Sequence, residues 1–302
     1  MQKHPIKLLV LDIDNTVFDW VTYYVHCMDS LFTRVGSLTG IPKADLAAEA
    51  KKVFEAQGSI EYPFLIQELP SVCRYYGEDI HRMLDEAVNQ GREAFNQTSA
   101  SWLQPYQGVL DTFADLKANQ SRLPIVALTD APRYVAMWKL NKLGILHYFD
   151  SVYGLSDPKI PSDEHTKKPK VDPEILYKHL QQNAFGFSGR VRTLPEEYEK
   201  PGVRGLRTVL MDYDMDDLAS DVVWVGDNLR KDIGLGRKLG VVSVWARYGT
   251  LLDPEIKDKL LQFSPSQNVH KNVALDPKGE DSPQPSFVLN SFSELLHLLP
   301  SR

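Results

Sequence analysis

"IKLLVLDIDNTVFDW", Ile6 to Trp20, is the stretch on which the fold turns. Its first residues are almost uniformly apolar, which suits a strand buried on both faces and not one alternating between core and solvent. The run stops at two aspartates one residue apart, Asp12 and Asp14, and enters a polar turn at Asn15 and Thr16. Carboxylates that close repel one another and each loses hydration, so the pair calls for a proton or a cation between them.

Similar short apolar runs recur downstream. Pro124–Leu128, Val222–Val225 and Val241–Ala246 read as further buried parallel strands, with a weaker one from Phe287 ("FVLN"). Helical patterns fall between them. From Gly108, "GVLDTFADLKANQ" puts Val109, Leu110, Phe113 and Leu116 on one face. "APRYVAMWKLNKLG" has Asp130 as a candidate cap and Pro132 in its first turn, and stops at Gly144. "DIGLGRKLG" stops at Gly240, directly before the next strand. Strand and helix in alternation predict an α/β core of the doubly wound, Rossmann-like kind, a parallel sheet with helices on both faces.

Two segments break that alternation. Residues 20–103 carry helical patterns and hardly any strand signal, far too long for an ordinary crossover. They are expected to form an all-helical domain inserted after the first strand, leaving 1–19 and 104–302 as the α/β core. Residues 181–221 are polar and rich in Gly and Pro, and are expected to form a surface excursion. The aspartates there (Asp212, Asp214, Asp216, Asp217, Asp221) suit a solvated loop better than a calcium loop, whose central Gly and terminal Glu are missing.

A net charge of −6 offers no general attraction to nucleic acid or to an anionic membrane, so neither is an expected partner. The apolar run at the amino terminus is cut short by acids, unlike a signal peptide or membrane span. Cys27 and Cys73 have neither metal-ligand spacing nor disulfide density, which suits a reduced, cytoplasmic setting.

Ligands of open α/β folds sit beyond the carboxyl ends of the strands. The first predicted strand delivers Asp12, Asp14, Asn15 and Thr16 there. "PIVAL" delivers Thr129 and Asp130, and "VVWV" delivers Gly226, Asp227 and Asn228, with Asp232 five positions after Asp227. A lysine cluster, "HTKKPKVDPEIL", lies between the last two sets. In this order the four segments "DIDNT", "ALTD", "KVDPEIL" and "VGDNLRKD" resemble the motifs of the haloacid dehalogenase-like hydrolase superfamily. The helical insertion sits where its C1-capped phosphatases carry their cap.

The resemblance implies a magnesium-dependent phosphatase acting on a small phosphorylated metabolite. Asp12 would be the nucleophile that becomes an aspartyl-phosphate, and Asp14 the general acid and base. Asp12, Asp14 (through its carbonyl) and Asp227 would hold Mg2+. Thr129 and Lys170 would hold the phosphoryl oxygens, with Lys168 as the rival lysine. Asn15 and Asp130 would line the substrate site, Asp130 being equally a helix cap, while Thr16, Asn228 and Asp232 would support it. Asp14 argues against dehalogenation, because a halide leaves without a proton and an alkoxide does not. A nucleoside monophosphate nucleotidase and a phosphomutase are alternatives within the superfamily. A receiver-type phospho-acceptor and an inactive binding module are alternatives outside it. Phe18, Trp20, Tyr23 and Tyr24 suit either stacking on a base or the core of the cap.

Overall fold

The computed structural model describes residues 5–119, 122–158, 185–265 and 282–299. Seven strands are described: β1 (Leu8–Leu11), β2 (Ile125–Pro132), β3 (Ser151–Leu155), β4 (Arg190–Leu194), β5 (Val222–Gly226), β6 (Val242–Ala246) and β7 (Phe287–Leu289). They form one sheet in the order β4-β3-β2-β1-β5-β6-β7, every neighbouring pair parallel. β1 is central. Leu9 aligns with Ile125 on one side and Val223 on the other, and all four of its residues are fully buried. Strand order reverses at β1, since the chain first builds outward through β2 to β4 and then returns to add β5 to β7. That reversal opens a crevice at the carboxyl ends of β1, β2 and β5.

Between β1 and β2 lie α1 (Trp20–Thr39), α2 (Lys43–Gln57), α3 (Leu65–Glu68), α4 (Pro70–Tyr76), α5 (Ile80–Met83), a π turn at Leu84–Val88, α6 (Asn89–Trp102) and α7 (Val109–Asn119). α1 shows why these helices form. Asp19 caps it through the Thr22 N–H, Gly40 ends it at φ 73°, and Trp20, Tyr24, Met28, Leu31 and Val35 supply a buried stripe. α7 buries Val109, Thr112, Phe113 and Leu116, whereas Leu110 points out at 45% exposure, so the apolar face is rotated from the one its sequence suggests.

The start of α8 (Arg133–Lys142) corrects the expected cap. β2 runs on to Pro132, and the helix N-terminus is held by Asp157, which accepts from the Tyr134 N–H at 2.7 Å and pairs with Arg133. Asp130 faces elsewhere.

Two placements differ from the expected domain map. Residues 185–221, the described part of the expected surface excursion, contribute to the sheet layer: they supply the edge strand β4 and the helix α9 (Arg204–Asp212), which buries Leu206, Val209 and Leu210. Their polarity reflects edge position. Arg190 and Arg192 of β4 are exposed and pair with Asp212, which also accepts from the Tyr153 hydroxyl at 2.6 Å. Asp221 is buried at the foot of β5 and pairs with Lys7 at 2.8 Å. α10 (Gly234–Leu239) follows β5 and ends at Gly240, as expected.

The second difference is α11 (Pro254–Phe263), which packs on α1 although it follows β6 in the chain. Phe263 packs its ring against Tyr24 and Phe32, at 6.0 and 5.8 Å between centroids. The Lys51 ammonium of α2 donates to the Leu261 carbonyl. The amphipathic stripe Ile256, Leu260 and Phe263 is buried among the helices of 20–103, where an apolar face was waiting to be covered.

Candidate active site

β1 and β5 end in register, and the Asp12 N–H donates to the Val225 carbonyl at 2.9 Å. This pairing brings Asp12 and Asp227 together. The Asp227 carbonyl accepts from the Trp245 indole at 2.7 Å, which fixes the β5 end. Gly226 is required there: a Cβ would lie 2.4–2.6 Å from atoms of the Asp232 side chain. Asp12, Asp227 and Asp232 form a buried group whose ligand oxygens lie within 4.8 Å of one another.

The cation facing this group is Lys200. Its ammonium lies 2.9 Å from Asp12 Oδ1 and 2.9 Å from Asp232 Oδ1. Lys167, Lys168 and Lys170, and with Lys170 the expected phosphate contact, lie outside the described residues. Lys200 was missed because it stands in the segment read as an excursion. A signal existed: Lys200 directly precedes Pro201 with a helix starting at Arg204, just as Lys168 directly precedes Pro169 in the sequence of the lysine cluster.

The remaining expected residues, Thr16 apart, are at the crevice, in different capacities. Both Asp232 oxygens are engaged by protein, Oδ1 accepting from Lys200 and Oδ2 from the Asn228 N–H, each at 2.9 Å. Asn228 caps the turn after β5 by accepting from the Arg230 and Lys231 N–H groups. Asp130 lines the pocket, but its oxygens accept from the Lys200 N–H and the Lys231 ammonium, both at 2.9 Å. Its structural work is therefore to seat the Lys200 segment.

Thr129 lines the same pocket, and its Oγ accepts from the Ala131 N–H at 3.1 Å, which leaves its own proton to donate. Asn15 holds a left-handed conformation at φ 55°, and its side-chain oxygen accepts from the Trp20 N–H. The Thr16 hydroxyl is buried outside the pocket lining, while its carbonyl accepts from Tyr248.

Asp14 is more open than Asp12 or Asp232, its side chain 23% exposed, and it meets a residue not expected from sequence. The fully buried Lys139 ammonium donates to Asp14 Oδ1 at 2.7 Å and to Glu61 Oε1 at 2.6 Å. Glu61, from the loop after α2, also accepts from the Trp20 indole at 2.8 Å. Of the four aromatics, Trp20 alone lines the pocket. Phe18, Tyr23 and Tyr24 are buried against one another and against Phe95, as core packing.

The electrostatics follow from burial. Loss of hydration raises the Asp12 carboxyl to about 7, opposed by Lys200 and reinforced by Asp232 and Asp14. Burial also raises Asp14 to about 6, with Lys139 opposing and Glu61 reinforcing. Asp227 is pushed up strongly by burial and by Asp232 and Asp12. Its Oδ2 is buried with no hydrogen-bond partner among the described residues. A hard divalent cation fits that set: an unpartnered carboxylate oxygen on Asp227, a neighbouring carboxylate on Asp12, and charge repulsion to relieve. Mg2+ would be held by Asp12 and Asp227.

No helix among the described residues is long and apolar enough to cross a membrane. Among known proteins, the chain is 24% identical over 270 residues to a glyceraldehyde 3-phosphate phosphatase of Methanopyrus kandleri, covering 83% of this chain and 88% of that protein. In fold it is similar to a HAD phosphatase from Thermococcus onnurineus, with a TM-score of 0.52 at 15% identity, covering 98% of this chain and 99% of that one. A HAD hydrolase from Bacillus subtilis, crystallised with magnesium, superposes with a TM-score of 0.49 at 13% identity, covering 98% and 99% of the two chains. Residues 6–240 match the family model of the haloacid dehalogenase-like hydrolases. With the parallel sheet, the acids at its strand ends and that match over most of its length, the chain belongs to the haloacid dehalogenase-like hydrolase family.

Proposed function

We propose that the protein hydrolyses a small phosphomonoester through an aspartyl-phosphate on Asp12. The observation that carries this reading is the pairing of Asp12, beside the Lys200 ammonium and the unpartnered oxygen of Asp227, with a second carboxyl, Asp14, at the same crevice. Phosphoryl transfer is largely positioning and charge neutralisation, and these residue types supply both.

An Asp12 oxygen attacks phosphorus while the ester P–O bond breaks. Asp14 delivers its proton to the departing oxygen, so an alcohol leaves and a carboxylate remains. Asp14 then takes a proton from water as that water attacks phosphorus and releases Asp12. Lys200 offsets charge on the attacking side, and the Thr129 hydroxyl donates to a phosphoryl oxygen. Mg2+, when bound, supplies charge neutralisation and a fixed orientation for the phosphoryl oxygens. The helices of 20–103, with α11 packed on them, act as the cap over this crevice.

A C–halogen substrate would have no use for Asp14, which favours the phosphate ester over dehalogenation. The likeness to a glyceraldehyde 3-phosphate phosphatase favours a short phosphorylated polyol or aldehyde. Burial of Phe18, Tyr23 and Tyr24 leaves Trp20 as the one of the four aromatics available at the pocket to a nucleobase, which weakens the nucleotidase alternative without removing it.

The test is a phosphate-release assay over a panel of monoesters: triose and sugar phosphates, phosphoglycolate and nucleoside monophosphates. It is run with and without Mg2+, with Asp12→Asn as control. Magnesium-dependent turnover abolished in Asp12→Asn supports the reading. A flat panel with magnesium present, or phosphorylation that stops at one equivalent, defeats it.

A further inference from the structure

Lys139 is unused by the mechanism above. It sits in the middle of α8, fully buried, and a buried ammonium is costly unless paired. It is paired twice, to Asp14 from the sheet and to Glu61 from the loop after α2, and Phe18 places its ring 5.8 Å below. Glu61 and Asp14 line the same pocket. Among the described residues, Lys139 is the one side chain that hydrogen-bonds the Asp14 carboxyl group. The contact is made to Oδ1, which leaves Oδ2 to carry the transferable proton.

We infer that Lys139 is a positioning residue: it aims the Asp14 carboxyl at the leaving oxygen, and Glu61, steadied by Trp20, holds Lys139 where it can do so. The inference rests on the phosphatase reading. In the first half-reaction the Asp12–phosphorus bond forms, the ester P–O bond breaks, and the proton passes from Asp14 Oδ2 to the leaving oxygen. Asp14 ends as a carboxylate still bound to the Lys139 ammonium. Without that contact the carboxyl rotates freely about its side-chain bonds, and general-acid help is lost while nucleophilic attack by Asp12 persists.

Leaving-group dependence separates this role from a merely structural one. The value kcat/KM reports the steps through phosphoenzyme formation, and 4-nitrophenolate leaves without a proton whereas an alkoxide does not. The experiment measures kcat/KM for the best alkyl phosphate of the panel and for 4-nitrophenyl phosphate, in wild type, Lys139→Met and Glu61→Gln. The expected result for Lys139→Met is a loss of about 100-fold on the alkyl ester and less than about 3-fold on the aryl ester. Glu61→Gln should lose in the same sense, by about 10-fold on the alkyl ester. Should Lys139→Met fail to fold because two carboxylates face each other unpaired, the double variant Glu61→Gln/Lys139→Met removes that conflict and is read identically. If that too fails to fold, Glu61→Gln alone decides. Equal losses on both esters, or no loss on either, overturn the inference while leaving the phosphatase reading intact. A wild type inert on both esters overturns the phosphatase reading instead.

Discussion

The Lys200 ammonium stands 2.9 Å from Asp12 and 2.9 Å from Asp232, so one cation ties the first strand end to the turn after β5. Both partners are nearly or fully buried, and breaking a buried pair by deleting one side leaves an uncompensated charge. Lys200→Met should lower kcat by about 100-fold or more. In the absence of magnesium it should also cost about 3 kcal/mol of stability. Steady-state assays and urea denaturation check both numbers.

The acids give stability a pH dependence of definite sign. Asp12 at about 7 and Asp14 at about 6 lie above the ordinary carboxylate value of 3.8, so the folded state holds protons that the unfolded chain has released. Stability from this source is full below pH 4 and is lost as pH rises through 6 to 7. A divalent cation favours the ionised acids. The rise in melting temperature caused by Mg2+ should therefore be larger at pH 8 than at pH 5.5, and should shrink in Asp227→Asn. Thermal melts at the two pH values, with EDTA or Mg2+, measure it.

Gly226→Ala should be damaging out of proportion to its size. The added methyl would meet the Asp232 side chain at 2.4–2.6 Å, and its carboxylate is pinned by Lys200 and the Asn228 N–H. A cost of about 1–3 kcal/mol is expected, with a fall in activity as Lys200 is displaced. Chemical denaturation and a phosphate-release assay test the pair of effects.

Phe263→Ala separates the packing of α11 from the chemistry. The ring is buried against Tyr24 and Phe32, so its removal should cost about 3–5 kcal/mol if the site cannot collapse. Neither of its ring partners, Tyr24 and Phe32, lines the crevice. The folded fraction should keep its kcat, and hydrogen exchange should rise first in α11 and α1.

The sequence by itself determined the centre of this protein. Continuous apolar runs bounded by polar turns can only be satisfied between two layers of helix, so β1, β2, β5 and β6 were legible, with the acids placed at the carboxyl ends of β1, β2 and β5. β3 and β4 were not, whereas the other edge strand, β7, gave a weaker signal from Phe287. β4 carries exposed arginines, and β3 is a five-residue run, "SVYGL", with little to mark it off from its neighbours; their pairing comes from the sheet that receives them. The tertiary structure also decided which cations serve the acids. Lys200 reaches Asp12 across 188 positions of chain, and Lys139 reaches Asp14 across 125, distances over which no local pattern operates. What selects those two lysines is burial: each fills a place where carboxylates would otherwise stand desolvated and unpaired, and only the assembled fold shows where that is.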